Sequence, residues 1–480
     1  MEPSTRNFPG NAARALADHQ LQRALAKVPV GFVQKRADAR ERLPEFEDLR
    51  NAGRDIKNHT LQHLDLYLTE YEKRATAAGA HVYWAETASD ACSIILEICR
   101  QAGARVVTKG KSMISEEIGL NAHLAASGLD VVETDLGEYI IQLRGETPSH
   151  IIAPAVHLNK EQVEADFRRV HADLAEGRSL TEPSELVAEA RQVLRQKFLT
   201  ADVGITGANF LIAETGSSVI VTNEGNGDLT QSLAKVHVVI ASIDKVVPTL
   251  EDASTLIRLL ARSATGQEIS TYTTFSTGAR RPDDPDGPEA YHVVILDNGR
   301  SELLGSAFQE VLRCIRCGAC MNHCPVYHAI GGHAYGWVYP GPIGSVLTPS
   351  LLGIRQSSHL PNASTLCGRC EAVCPVKIPL PKLMRQWREE AFESGNTTAG
   401  FRFGLAAWAW LARHPRLYRL ASRLGVAMLK LVSGSTGRLR WLPFAGGWTR
   451  HRDLPAPHGR TFQALWAAGR NQDQDRQDKS

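Results

Sequence analysis

The sequence predicts an α/β unit with a parallel sheet, then a mainly helical, cysteine-rich segment, then a helical C-terminal region. Three observations carry this prediction. Strand-like and helix-like patterns alternate between residues 60 and 300, as in successive βαβ units. Seven of the nine cysteines fall between Cys314 and Cys374. Residues 396–450 are basic and aromatic, with apolar positions at helical spacing.

Taken in order, residues 1–59 are polar and charged with patches of helical spacing, as from Ala12 to Leu25, and read as an N-terminal helical arm without identifiable chemistry. In 60–300, TLQHLDLYLTEYEKRATAAGA reads as an amphipathic helix, HVYWAE as a strand and TASDACSIILEICRQAGA as a helix. The strand RVVTKG, a helix over 116–127 and the strand DVVETD follow, then two helices near 160–176 and 182–199. FLIAETGSSVIVT reads as two short strands around a glycine turn, and VHVVIASIDKVV and YHVVILD as further strands. Residues 301–395 form the cysteine-rich segment, whose middle, HAYGWVYPGPIGS, is expected to be irregular. Residues 396–480 form the basic region, with Trp408, Trp410, Trp441 and Trp448; Pro415 splits its helical pattern, and the polar run after Arg470 is expected to be disordered.

Composition narrows the function classes. The chain has 480 residues and a formal net charge of +2, which argues against a general nucleic-acid coat. The start, MEPSTRNFPG, lacks the apolar run of a secretory signal, and no stretch is long and apolar enough to span a membrane. A cytoplasmic, reducing location is therefore expected, where thiols stay free or bind metal. The stretch 401–432 has two further readings: docking on a partner or on the rest of the chain, and peripheral contact with an anionic membrane.

The first cysteine motif is Cys314-x2-Cys317-x2-Cys320-x3-Cys324-Pro325, the bacterial ferredoxin run, in which the fourth cysteine serves the other cluster. Thiolates spaced by two residues wrap one cube in a tight turn, and the fourth leaves toward a second cube. The second motif, Cys367-x2-Cys370-x3-Cys374-Pro375, matches the last three positions of that run, with Ser364 where its first cysteine belongs. One [4Fe-4S] cluster is thus expected on Cys314, Cys317, Cys320 and Cys374. The second is expected on Cys324, Cys367 and Cys370. Its fourth place falls to Ser364, to water or to a partner group, or it is a [3Fe-4S] cluster. A zinc site would close on four ligands, often two Cys-x2-Cys pairs, and fits seven cysteines with two Cys-Pro endings poorly.

Other candidates are weaker. Cys92 and Cys99 share one helix face and read as core. Lys109-Gly110-Lys111-Ser112 resembles the end of a phosphate loop, but Arg105 stands where that motif needs glycine. Glu214, Thr215, Asn223 and Glu224 stand at the ends of apolar strands beside glycines, where an α/β sheet binds small ligands, and form a possible pocket. His157 reads as structural. No Ser–His–Asp arrangement, GxGxxG motif or flavin signature is present.

With these residues in hand, the sequence resembles the lactate utilization protein B family. The resemblance is carried by KSMISEEIGLN (111–121), ETDLGEYIIQLRGETPSHIIAPAVH (133–157), GITGANFLIAETGSSVIVTNEGN (204–226) and the cysteine motifs, including LCGRCEAVCPVKIPL (366–380). It implies that 60–300 is a LUD domain, similar in fold to sugar-phosphate isomerases and CoA transferases, and that 301–395 is a ferredoxin-like two-cluster domain. It also implies that Ser364 is part of the family pattern. Two partners are implied as well: the cysteine-rich lactate utilization protein A and lactate utilization protein C, which has a LUD domain of its own. With them the chain would take part in oxidising L-lactate to pyruvate. The expected role is electron transfer from that reaction to a quinone or carrier. The alternatives are a catalytic role, binding a 2-hydroxy acid in the LUD pocket, and a redox sensor or scaffold. The near-neutral charge and the lack of a nucleic-acid-binding motif count against the sensor.

Overall fold

The apolar runs of residues 80–296 become strands, the central ones buried on both faces. A computed structural model describes residues 3–174, 177–443, 446–449 and 452–477. Strands β1 (Ala80–Ala85), β2 (Val106–Lys109), β3 (Asp130–Glu133), β4 (Val203–Gly207), β5 (Phe210–Ile212), β6 (Ser217–Thr222), β7 (Val236–Ser242), β8 (Val246–Val247), β9 (Tyr272–Ser276) and β10 (Ala290–Leu296) form two sheets. The larger has the order β1-β10-β7-β4-β2-β3, with every pair parallel. The smaller has the order β8-β5-β6-β9, around the β5–β6 hairpin.

Alternation along β7 divides the core of the parallel sheet. Val238 and Ile240 pack with Ile95, Cys99 and Ile205 on one face, while Val239 and Ala241 pack with Leu68, Tyr71 and Ile295 on the other. Cys92 and Cys99 are buried core residues, as read from the sequence. Thr87 and Asp90 close a capping box at the start of helix Ala88–Gln101. Gly204 lets helix Asn226–Leu233 lie against β4, since a Cβ there would stand 1.9 Å from the Thr230 carbonyl oxygen.

Several elements differ from the sequence reading. β4 and β9 were not foreseen as strands. The helix expected over 116–127 is two, Met113–Glu117 and Leu120–Ala126, broken at the left-handed Gly119. The amphipathic helix begins at Leu64, because the chain bends at His63 after helix Phe46–Gln62. The segment expected to be irregular includes the start of helix Gly341–Leu352, which has Pro342 in its first turn.

Residues 1–396 are one compact unit, and the cysteine-rich segment shares its core with the smaller sheet and helix Leu250–Ala264. Glu117 fastens the α/β region to that segment. Its carboxylate accepts from Arg300 Nη1 (2.9 Å) and Nη2 (2.6 Å), from Asn298 Nδ2 (2.7 Å) and from Tyr339 Oη (2.5 Å).

The second unit, residues 397–480, contains helices Ala399–Ala412 and Pro415–Ser433, split at Pro415 as expected. Helix Phe462–Gln477 runs into the polar stretch expected to be disordered; that stretch lacks glycine and proline beyond Arg470, and its Gln and Arg residues favour helix. Residues 478–480 and the Trp448 side chain lie outside the described residues. Phe403 and Leu431, in the stretch 401–432, are 78% and 83% exposed. No described helix is long and apolar enough to cross a membrane.

Candidate metal centres

The two cysteine motifs build the same loop twice. In the first, Arg316 and Gly318 adopt φ of 60° and 71°, and helical turn Ala319–Asn322 leads to Cys324 and Pro325. In the second, Leu366 and Gly368 adopt φ of 54° and 80°, and turn Arg369–Ala372 leads to Cys374 and Pro375. Left-handed backbone is rare outside glycine, yet Arg316 and Leu366 take it at equivalent places, one residue before Cys317 and Cys367. This register sets Ser364 opposite Cys314. The Cys314 Sγ accepts from the Arg316 N–H at 3.4 Å, and the Ser364 Oγ accepts from the Leu366 N–H at 3.1 Å. The serine oxygen occupies the station of the first thiol.

The thiols sort across the motifs. Cys314, Cys317, Cys320 and Cys374 line one cavity, walled by Ile315, Ile343, Val376, Ile378 and Leu380. Cys374 reaches it from the second motif, and its Sγ accepts from the Ile378 N–H at 3.4 Å. Cys324 and Cys370 are buried and interact with each other and with Cys367, which is exposed. Burial pushes the Cys374 thiol up to about 11 and the Cys370 thiol up to about 12, and raises Cys317, Cys320 and Cys324 as well. The Arg369 N–H lowers Cys367. The buried thiols therefore stay protonated near neutral pH unless a metal displaces the proton. Soft sulfur donors, apolar walls and N–H groups on sulfur fit an iron–sulfur cluster at both centres.

The N-terminal helices hold this arrangement, a role the sequence reading missed. Arg50 donates to the Cys374 carbonyl from Nε (3.0 Å) and Nη2 (2.8 Å), and to the Ala372 carbonyl from Nη2 (2.9 Å). Arg36 donates to the Val373 carbonyl at 2.9 Å. No local spacing marks these arginines, because their partners lie more than 300 residues away in sequence.

Beside the first centre, a cavity of about 200 Å³ opens at the carboxyl ends of the parallel strands. Lys111 and Ser112 follow β2, Gly207 ends β4 and Asn209 comes just after it, and Lys245 follows β7. Thr222, Asn223, Glu224 and Asn226 come from the end of β6. Arg316 and Ile151 belong to the walls of both this cavity and the one lined by Cys314. Burial, then Asp135, raises the Glu224 carboxyl. The Asn223 side chain is engaged with Gln267 and Thr271.

Of the four pocket residues read from the sequence, Asn223 and Glu224 line this cavity and Glu214 and Thr215 do not. The exposed Glu214 accepts from the Leu250 N–H at 3.0 Å, and Thr215 donates to the Ser217 Oγ at 2.8 Å. The reason is the hairpin: its turn, 213–216, stands at the end of β5 and β6 opposite to Asn223. Antiparallel pairing instead brings Asn209, just before β5, to the pocket end, and that pairing was the available signal.

The His157 ring is bonded to Ser149 Oγ at 2.7 Å and Glu146 at 2.8 Å. Lys109 is buried in ion pairs with Glu116 (3.0 Å) and Glu133 (2.6 Å) and serves no phosphate loop.

A parallel sheet with helices, fused to paired cysteine loops, defines a LUD-domain protein with an iron–sulfur dicluster segment. Family models agree: a LUD domain matches residues 68–296, a 4Fe-4S dicluster domain matches 310–378, and the C-terminal domain of lactate utilisation protein B matches 382–471. The chain is 42% identical over 467 residues to lactate utilization protein B of Lysinibacillus sphaericus, covering 96% of this chain and 97% of that one. It is 43% identical to the Oceanobacillus iheyensis protein of the same name, covering 93% of each, and 40% identical to the Bacillus subtilis one, covering 97% of each. The chain belongs to the lactate utilization protein B family and is an iron–sulfur member of it.

Proposed function

We propose that this chain is the electron-transfer component of an assembly that oxidises L-lactate to pyruvate, working with lactate utilization proteins A and C. Cys314, Cys317, Cys320 and Cys374 hold one [4Fe-4S] cluster. Cys324, Cys367 and Cys370 hold the other, with the Ser364 Oγ at its fourth corner. When bound, such clusters supply one-electron relay chemistry.

The observation that carries this reading is the contrast between the two centres. The first is enclosed and shares Arg316 and Ile151 with the cavity of the LUD sheet. The second reaches the surface at Cys367. The chain's residues thus set an inner end beside a ligand-sized cavity and an outer end open to a quinone or protein carrier. The apolar walls keep water from the first centre, and the N–H groups of Arg316 and Ile378 stabilise negative charge on sulfur.

The test is anaerobic purification of the full chain, alone and with lactate utilization proteins A and C, followed by iron analysis and EPR. The expected result is ~8 iron per chain, the content of two four-iron clusters, with L-lactate reducing them only in the assembly. Iron near ~7 would put a three-iron cluster at the second centre. Stoichiometric zinc without a reducible signal would overturn the reading.

A further inference from the structure

We infer that the cavity between the LUD sheet and the first cysteine loop is a binding site for a small 2-hydroxy acid, with Arg316 and Lys245 on its carboxylate and Asn226 on its hydroxyl. This deepens the proposed function by giving this chain, and not only its partners, a site for the substrate class.

Two buried polar atoms around the cavity lack partners, and with the ammonium of Lys245 their chemistries are complementary to one ligand. Arg316 is 8% exposed, and its Nη1 is buried without a hydrogen-bond partner. Its guanidinium carbon lies 4.9 Å from the centroid of the Tyr339 ring, which fixes the plane without satisfying a donor. Lys245 is 5% exposed and makes no hydrogen bond through its ammonium group among the described residues. Asn226 is 5% exposed, and its Oδ1 is likewise buried without a partner. Leaving such groups unmet is costly, so a ligand that meets them gains specificity.

Three cationic residues lining the cavity, Lys111, Lys245 and Arg316, outnumber its two carboxylates, Asp135 and Glu224, which favours an anion. A planar guanidinium beside an ammonium suits a carboxylate. The orphan acceptor calls for an O–H donor on the same small molecule. At about 200 Å³ the cavity is smaller than the ~300–1,000 Å³ typical of larger ligands, which favours a molecule of a few carbons. Gly207 keeps the floor open, since a Cβ there would stand 2.9 Å from the Ser112 Oγ. The positive charge of Arg316 also faces Cys314, so charge balance for the first centre is the competing role, and a neutral variant separates the two.

The experiment is isothermal titration of the anaerobically purified, cluster-loaded full chain with L-lactate, propionate and inorganic phosphate. L-Lactate is expected to bind about tenfold tighter than propionate, the worth of one satisfied buried hydrogen bond. Asn226→Ala should erase that preference while leaving propionate binding unchanged. Arg316→Gln should weaken both carboxylates at least about tenfold. If Arg316→Gln loses iron, Asn226→Ala, whose amide bonds Thr134 rather than a cysteine, still decides the matter. Equal affinity for lactate and propionate in the parent protein, phosphate binding as tight as lactate, or no binding at all would overturn the assignment. Lactate-dependent reduction in the assembly without binding to this chain would overturn the site and leave the electron-transfer reading standing. Binding without any lactate-dependent reduction would do the reverse.

Discussion

The two cysteine loops share a backbone and differ in surroundings. Both turn through left-handed residues at matching places, and both send their last cysteine across to the other centre. The first centre has four thiols, Cys317 and Cys374 buried in the shared core and Cys314 and Cys320 half-buried against it, beside the LUD cavity. The second has three, one of them exposed, with a serine oxygen at the remaining station. Equal loops with unequal ligands and burial indicate that the local fold sets ligand direction, while the surrounding helices and sheet set exposure and reactivity. An enclosed four-thiol centre is built for retention. On the proposed ligand set, a surface centre with an oxygen at one corner would favour exchange, with a partner or with solvent.

The largest expected effect comes from unfastening the enclosed side. Glu117→Ala leaves the fully buried Arg300 guanidinium with Asp244, at 3.1 Å, as its remaining carboxylate partner and releases Tyr339, against which Arg316 packs. Breaking one partner from a buried pair costs about 3–5 kcal/mol, so chemical denaturation should show a loss of that order together with lost iron. Retained stability would mean the LUD and cysteine segments do not depend on this fastening.

Next comes the contrast between the centres themselves. Cys317→Ala should lower both iron content and melting temperature, because Cys317 belongs to the core. Cys367→Ala should lower iron with little change in melting temperature, since Cys367 is exposed. Similar melting losses would erase the distinction between an enclosed and a surface centre.

Acid should act on the enclosed side. Burial pushes His150 down to about 4 from 6.5, and its Nδ1 accepts from the Ile152 and Ala153 N–H groups while its Nε2 bonds Asn322. Above pH 6.5 neither the folded nor the unfolded chain protonates this ring. Between 6.5 and about 4 the unfolded chain takes a proton that the folded chain refuses, so stability falls as pH falls through that window. His157 and His323, also pushed down to about 4, add to the same loss. Asn322, His323 and the first cysteine loop should loosen first, visible as faster amide exchange. Flat stability between pH 7 and pH 5 would contradict this.

The smallest effect is at Ser364. Ser364→Ala removes one acceptor from the Leu366 N–H, worth about 1 kcal/mol at most in a partly exposed turn. Its spectral effect should be larger: the EPR signal of the second centre should change while that of the first does not. Ser364→Cys should make the two centres alike and slow loss of iron in air.

The sequence made the cysteine sorting legible because thiol ligation leaves a spacing that survives without coordinates, and Ser364 was visible as a gap in it. The parallel sheet was legible from β1, β2, β3, β7 and β10, whose apolar runs are bounded by helices. β4 was hidden because two of its five residues are glycine, Gly204 and Gly207, one required by the close approach of Thr230 and the other by Ser112. β9, Tyr272–Ser276, is a half-exposed run rich in hydroxyls. Arg36, Arg50, Lys245 and Arg316 carry no local mark of their roles, since each acts across a distance only the fold closes. Glu214 and Thr215 were misassigned because polar residues at both ends of a hairpin look alike until pairing decides which end faces the cavity.

Crossed ligation is the central claim, and additivity of iron loss tests it most directly. Cys317→Ala with Cys320→Ala should leave ~4 iron per chain, the content of the second centre alone. Adding Cys374→Ala to that pair should change nothing, although Cys374 lies in the second motif. Adding Cys324→Ala instead should remove the remaining iron, although Cys324 lies in the first. The opposite outcome, with Cys374→Ala stripping the remaining iron and Cys324→Ala without effect, would show that each motif serves its own cluster and would contradict the account.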